Sequence, residues 1–196
     1  MIMPAMSREV RMPLDFGKAD IVLDAGHGGK DQGASAGNVI EKEITLEIVK
    51  KTEKYLKDAG YKVKLTRDED TFVKLEERAE YANRKGAKVF ASIHSEDGEG
   101  NGIETFYSEQ KGTESEKLAQ SIQTCVIEET AARDREVKTA DHTVTVTTKM
   151  PSALVETGFL SDGTERELLQ QEGYQDKLAK GIAEGIINYM EESIIE

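Results

Sequence analysis

The sequence predicts a single α/β domain in which helices cover both faces of a mostly parallel sheet. Three observations carry that expectation. Short apolar runs of strand length alternate with longer segments of helical periodicity. The 196 residues suit one hydrophobic core. No internal repeat or low-complexity stretch interrupts the alternation.

Residues 1 to about 18 show no periodicity and hold two of the three prolines, so they read as a leader or tether ahead of a domain spanning residues 19–196. They lack the charged start, long apolar stretch and cleavage site of a secretory signal, which leaves any export route open. Asp20 to Asp24 forms a short buried strand, followed by a glycine-dense loop from Ala25 to Gly37. Ile44, Ile48, Val49, Thr52, Tyr55 and Leu56 make one face of a helix that Gly60 is placed to stop. Tyr61 to Thr66 alternates like a half-buried strand, and Leu75, Ala79 and Ala82 mark a helix closed by Gly86.

Lys88 to Ile93 is a third strand, ending at His94, and Gly102 to Tyr107 a fourth beyond a polar turn. A helix from Thr113 to about Glu129 leads to an irregular charged stretch around Arg133 to Thr139. His142 to Thr147 has a strand pattern, Ala153 to Glu156 is a short buried strand, and the tail is helical, with Leu178, Ile182, Ile186 and Met190 on one stripe.

The formal charge of −12 repels phosphate backbones, and no basic stripe stands out, so nucleic-acid binding is not expected. No run approaches the roughly 20 apolar residues of a membrane span. The one cysteine, Cys125, lies in an apolar-periodic segment and reads as a buried small hydrophobe.

With only three histidines, each can be weighed. His27 and His94 directly follow strands, and Glu156 ends another. Ligands of open α/β sheets collect beyond the carboxyl ends of strands, so these side chains are expected at one crevice. Two histidines and a glutamate are a known zinc set, but spacing alone also fits ordinary strand-end polar residues. A phosphate loop at Gly26 to Lys30 lacks the Gly-Lys-Ser/Thr ending.

Five segments, in order, resemble the zinc-dependent N-acetylmuramoyl-L-alanine amidases of the amidase type 3 family. They are Ile21-Val-Leu-Asp-Ala-Gly-His-Gly-Gly-Lys-Asp-Gln-Gly33, Glu41-Lys-Glu-Ile-Thr-Leu46, Leu65-Thr-Arg67, Ala91-Ser-Ile-His94 and Met150-Pro-Ser-Ala-Leu-Val-Glu-Thr-Gly-Phe-Leu-Ser161. The resemblance implies a mixed, mainly parallel sheet of about six strands. It also implies one zinc ion (Zn2+) on His27, Glu41 and His94, with Glu156 as the catalytic carboxylate. Glu41 is assigned by the resemblance alone; its place also fits a glutamate favoured by a helix dipole, a role that suits Glu43 better. The implied reaction is hydrolysis of the amide between N-acetylmuramic acid and L-alanine in peptidoglycan, outside the cytoplasmic membrane. The stem peptide and glycan are the implied partners.

This chain departs from the family at Ser95-Glu-Asp97, at Glu136 where many members carry glycine, and over His142 to Thr148. His142 is a candidate substrate-binding residue, the alternative being a strand-end surface histidine. Lys138 is a candidate partner for a stem-peptide carboxylate, and Arg67 reads as a structural ion-pairing residue. Hydrolysis of soluble muropeptides or other N-acyl amides, and a non-catalytic wall-binding role, remain alternative expectations.

Overall fold

The computed structural model describes residues 17–96 and 98–193, so residues 1–16 of the expected leader over residues 1 to about 18 lie outside it. The sheet starts with β1 (Ile21–Ala25), five consecutive residues buried on both faces, as a central parallel strand requires. A two-residue ribbon, β2 (Ser35–Ala36) and β3 (Val39–Ile40), folds the following loop back and delivers the chain to α1 (Glu41–Asp58). Next come β4 (Val63–Leu65) and α2 (Leu75–Lys85). As expected, Gly86 closes α2, at φ 60°.

β5 (Val89–Glu96) and β6 (Ile103–Tyr107) follow, then a 3-10 turn over Glu109–Lys111 and α3 (Thr113–Thr130). After β7 (Asp134–Thr139) and α4 (Thr143–Val146) come β8 (Ser152–Phe159), α5 (Gly163–Leu169) and α6 (Glu172–Glu192).

The six-stranded sheet runs β4-β1-β5-β8-β6-β7. β4, β1, β5 and β8 are mutually parallel, β6 is antiparallel to β8, and β7 is parallel to β6. The mixed, mainly parallel sheet matches the expectation. Odd-numbered residues of β1, β5 and β8, such as Leu23, Ala91 and Val155, join the larger core with α1, α3 and α6. Val22, Phe90 and Leu154 face the other way, against Tyr81 and Ala82 of α2 and Val144 of α4.

Two expectations fail. Arg133 to Thr139 is not irregular: it contains β7, an edge strand whose alternation is broken by a bulge. His142 to Thr147 is not a strand: His142 caps α4, with Thr145 bonded to its carbonyl at 3.0 Å and Thr147 bonded to that of Thr143 at 2.7 Å. Threonine hydroxyls that bond locally offset the strand preference of a β-branched run.

Candidate metal centre and active site

β1 ends at Ala25 and β5 carries His94, so the loop after β1 crosses the mouth of its neighbour. Its path demands glycine at two points. A Cβ on Gly26 would lie 2.5 Å from the His94 ring, and one on Gly33 would lie 2.3 Å from Glu41 Oε2 and 2.5 Å from the His27 ring. His27 itself sits at φ 60°, a left-handed conformation costing a side-chain-bearing residue about 1–2 kcal/mol. Two buried arginines hold the loop in that shape. Arg78 donates to the carbonyls of Ala25 and His27 and pairs with Asp24 at 2.9 Å. Arg67 donates to the carbonyls of Ala25, Gly26, Lys42 and Glu69, so it is structural as expected but works through carbonyls. Burial, then the charge of Arg78, pushes Arg67 down to about 10.

Glu41 is the first residue of α1, and the β2–β3 ribbon brings it under the loop. Its Oε2 lies 3.1 Å from His27 Nε2 and accepts the Ala34 amide at 2.7 Å. Its Oε1 lies 2.9 Å from His94 Nδ1 and accepts the Ser95 amide at 3.1 Å. Ser95, a departure from the family pattern, thus supports the site through its backbone, and its hydroxyl bonds to Thr157 at 2.9 Å. Asp97 lies outside the described residues. Asp31 takes the other nitrogen of His27, Nδ1, at 2.9 Å, fixing the ring with Nε2 turned inward.

One ligand atom from each of His27, Glu41 and His94 falls within 4.8 Å of the others. The donor set, two imidazoles and a carboxylate, fits one zinc ion and leaves a coordination position over. Burial opposes ionisation of Glu41, but the two histidines outweigh it and hold its carboxyl far below the usual range.

Glu156 is the register partner of His94 across β5 and β8, and both line a cleft of about 270 Å³ with His27 and Glu41. Its Oε2 is buried without a hydrogen-bond partner. Burial, then the charges of Glu41, Glu96 and Glu104, raises its carboxyl well above the usual value.

The other two sequence candidates lie outside this cleft's lining. His142 sits edge-on to Phe106, ring centroids 5.3 Å apart, with Nε2 buried and unpartnered. Burial, then the charge of His94, keeps it below its ordinary value. Lys138 reaches Glu104, the register partner of Glu156 on β6. Sequence reasoning missed Asp31, Arg78 and Glu104. Asp31 had a readable signal in its spacing of four from His27; Arg78 sits in a helix of many charges, and Glu104 in a strand with no motif.

The α/β fold thus carries, at one sheet edge, a cluster that could hold a metal ion beside a buried carboxylate. Comparison with known proteins makes this specific. The family model for N-acetylmuramoyl-L-alanine amidase (Amidase_3) matches residues 21–188. The chain is 38% identical over 173 residues to N-acetylmuramoyl-L-alanine amidase LytC of Bacillus subtilis, covering 86% of this chain and 35% of that protein. It is 40% identical over 173 residues to the endolysin of Bacillus phage SPP1, covering 84% of this chain and 63% of the phage protein. An N-acetylmuramoyl-L-alanine amidase structure from Clostridium difficile 630 superposes with a TM-score of 0.86 at 33% identity, covering 90% and 98% of the two chains. The chain belongs to the N-acetylmuramoyl-L-alanine amidase family and forms its catalytic domain.

Proposed function

We propose that this domain hydrolyses the amide joining N-acetylmuramic acid to L-alanine using one zinc ion held by His27, Glu41 and His94, with Glu156 moving the protons. The observation that carries the reading is the packing of three ligand atoms within 4.8 Å, beside a buried carboxylate oxygen with no protein partner. A zinc ion in such a site lowers the pKa of water to about 7 and polarises a carbonyl.

An amide resists hydrolysis because water is a poor nucleophile and an amine a poor leaving group. Glu156 addresses both: it accepts the proton of the attacking water and returns it to the departing alanine nitrogen, help worth roughly 10²–10⁴-fold. Asp31 and the Ala34 and Ser95 amides hold His27 and Glu41 in place and take no part in the chemistry. His142, with its unpartnered Nε2 beside Phe106, is assigned to the substrate rather than to the fold. The site of action is outside the cytoplasmic membrane, where cross-linked peptidoglycan lies. No helix among the described residues is long and apolar enough to cross a membrane.

The test is release of stem peptides from purified sacculi. Cleavage that disappears with chelator and returns with zinc, giving fragments with free N-terminal alanine, supports the reading. Cleavage of soluble muropeptides but not of sacculi would move the substrate assignment. In Glu156→Gln, turnover should vanish while zinc remains bound; an active variant would remove Glu156 from the mechanism.

A further inference from the structure

Glu104 stands next to Glu156 in the sheet, one strand further from His94. It is 4% exposed and shared by two cations: Arg135 donates Nε to its Oε2 at 2.6 Å, and Lys138 Nζ bonds to the same oxygen. Strict alternation would place residues 135 and 138 on opposite faces of β7. A bulge changes that. Ile103 pairs with Asp134 but Thr105 pairs with Val137, so β7 carries one extra residue. Glu136, at φ 67°, takes the turn, and its amide is tied to Asp134 Oδ1 at 2.8 Å. Both cations therefore arrive on the Glu104 side.

The arginine is seated in a built pocket. Its guanidinium lies 4.6 Å from the centroid of the Phe159 ring. Gly100 and Gly102 clear room for it: a Cβ on either would come within 2.9 Å of the Arg135 side chain. Two cations share this one carboxylate, on a chain whose formal charge is −12. Screening confines each charge to about 8–10 Å in physiological salt, so an anion bound here answers to the cations it touches and not to the net charge of the chain. The cations meet at Glu104, one strand spacing, about 4.8 Å, from Glu156. An extended residue spans about 3.3–3.6 Å. An anion there belongs to the first or second residue past the bond held at Glu156.

We propose that Arg135 and Lys138, gathered by the bulge and braced on Glu104, bind a free carboxylate of the stem peptide next to its alanine and make the enzyme selective for it. The residue after alanine in a stem peptide is a γ-linked glutamate whose α-carboxyl is either free or amidated, and the subsite favours the free form. The inference rests on the proposed amidase reaction for its substrate.

The experiment compares two synthetic muramoyl peptides that differ only in that group, carboxylate or primary amide. Wild-type kcat/KM should favour the carboxylate by about tenfold to a hundredfold, the worth of a charge-assisted hydrogen bond. Lys138→Gln, at a half-exposed site, should shrink the ratio, and so should Arg135→Gln. Glu104→Gln, which removes the competing anion, should enlarge it; a cluster that serves only the fold would leave all three ratios alike. Binding of both peptides to zinc-loaded Glu156→Gln, followed calorimetrically, reads the preference without turnover. A protein inactive on both peptides would therefore count against the amidase reading, while its binding ratio still decides the subsite. Equal affinity for the two peptides, or a preference untouched by Lys138→Gln and Arg135→Gln, overturns the proposal.

Discussion

His27 and Glu41 of the candidate metal cluster are each oriented by groups behind them, and those groups can be tested separately from the ligands. Asp31 meets the outward nitrogen of His27 at 2.9 Å, accepts the Gly33 amide at 3.2 Å, and is itself 44% exposed. Replacing it with asparagine leaves the ligand set intact but loosens the ring, and loss of such a partner typically costs 10–100-fold in metal affinity. Asp31→Asn should therefore weaken zinc in competition with a chelator by about that factor, with the fold unchanged; undiminished affinity would leave Asp31 without a role in orienting the metal ligand. At this scale the sequence was partly legible. His27, His94 and Glu156 could be placed at one sheet edge because each sits at a strand end, and strand ends are visible in apolar runs. Glu41 could not, because its approach depends on the β2–β3 ribbon, two-residue strands with almost no pattern of their own.

Among the elements, long buried strands and two-faced helices were legible because burial imposes their periodicity. β7 was not: it is an edge strand, and the residue at its bulge breaks the alternation that would have announced it. That same bulge explains the family's glycine at position 136. A left-handed conformation costs a side-chain-bearing residue about 1–2 kcal/mol, of which glycine's greater unfolded-chain freedom returns about 0.5–1. Glu136→Gly should accordingly stabilise the protein by about 0.5–1 kcal/mol in urea titration, and destabilisation would contradict the strain assigned to this turn. The α3–α6 contact predicts the opposite sign. Gly185 lets the helices approach so closely that a Cβ would lie 2.4 Å from the Ile122 Cα. Alanine is the better helix former by about 1 kcal/mol, but the obstacle is backbone, which no rotamer change can relieve. Gly185→Ala should cost about 1–3 kcal/mol net, read as a lower urea midpoint.

For the whole molecule, the α/β class was legible because strand and helix periods alternate along the chain. The polar tie between its layers was not: Asp24, Thr66 and Ser92 lie in three separate family-like segments and Arg78 in none, and nothing in those segments says that the four meet. Asp24 is fully buried and joins β1 to Ser92 of β5 at 2.7 Å, to Thr66 after β4 at 2.5 Å and to Arg78 of α2 at 2.9 Å. Burial alone would raise its carboxyl, but the charge of Arg78 and the two hydroxyls outweigh it and hold it below the ordinary value. A depressed folded-state pKa contributes stability that is fully present above the unfolded value, near 3.9, and is lost as pH falls through the folded one. Glu156 and Glu165, raised chiefly by burial, act in the opposite sense: protonation relieves them as pH falls. Lowering pH from 7 toward the pI near 4.9 also removes the mutual repulsion of a chain carrying −12. Stability should therefore hold or rise on the way to about pH 5 and fall steeply below about pH 4. Exposed carboxylates contribute little to that fall and are screened by salt, whereas the buried pair is not. Asp24→Asn leaves Arg78 buried without its counter-charge, which costs about 3–5 kcal/mol at neutral pH, and it should flatten the acid limb. Urea midpoints between pH 7 and 3, in low and high salt, separate the contributions: a wild-type acid limb that vanishes in high salt would assign it to the surface and not to Asp24.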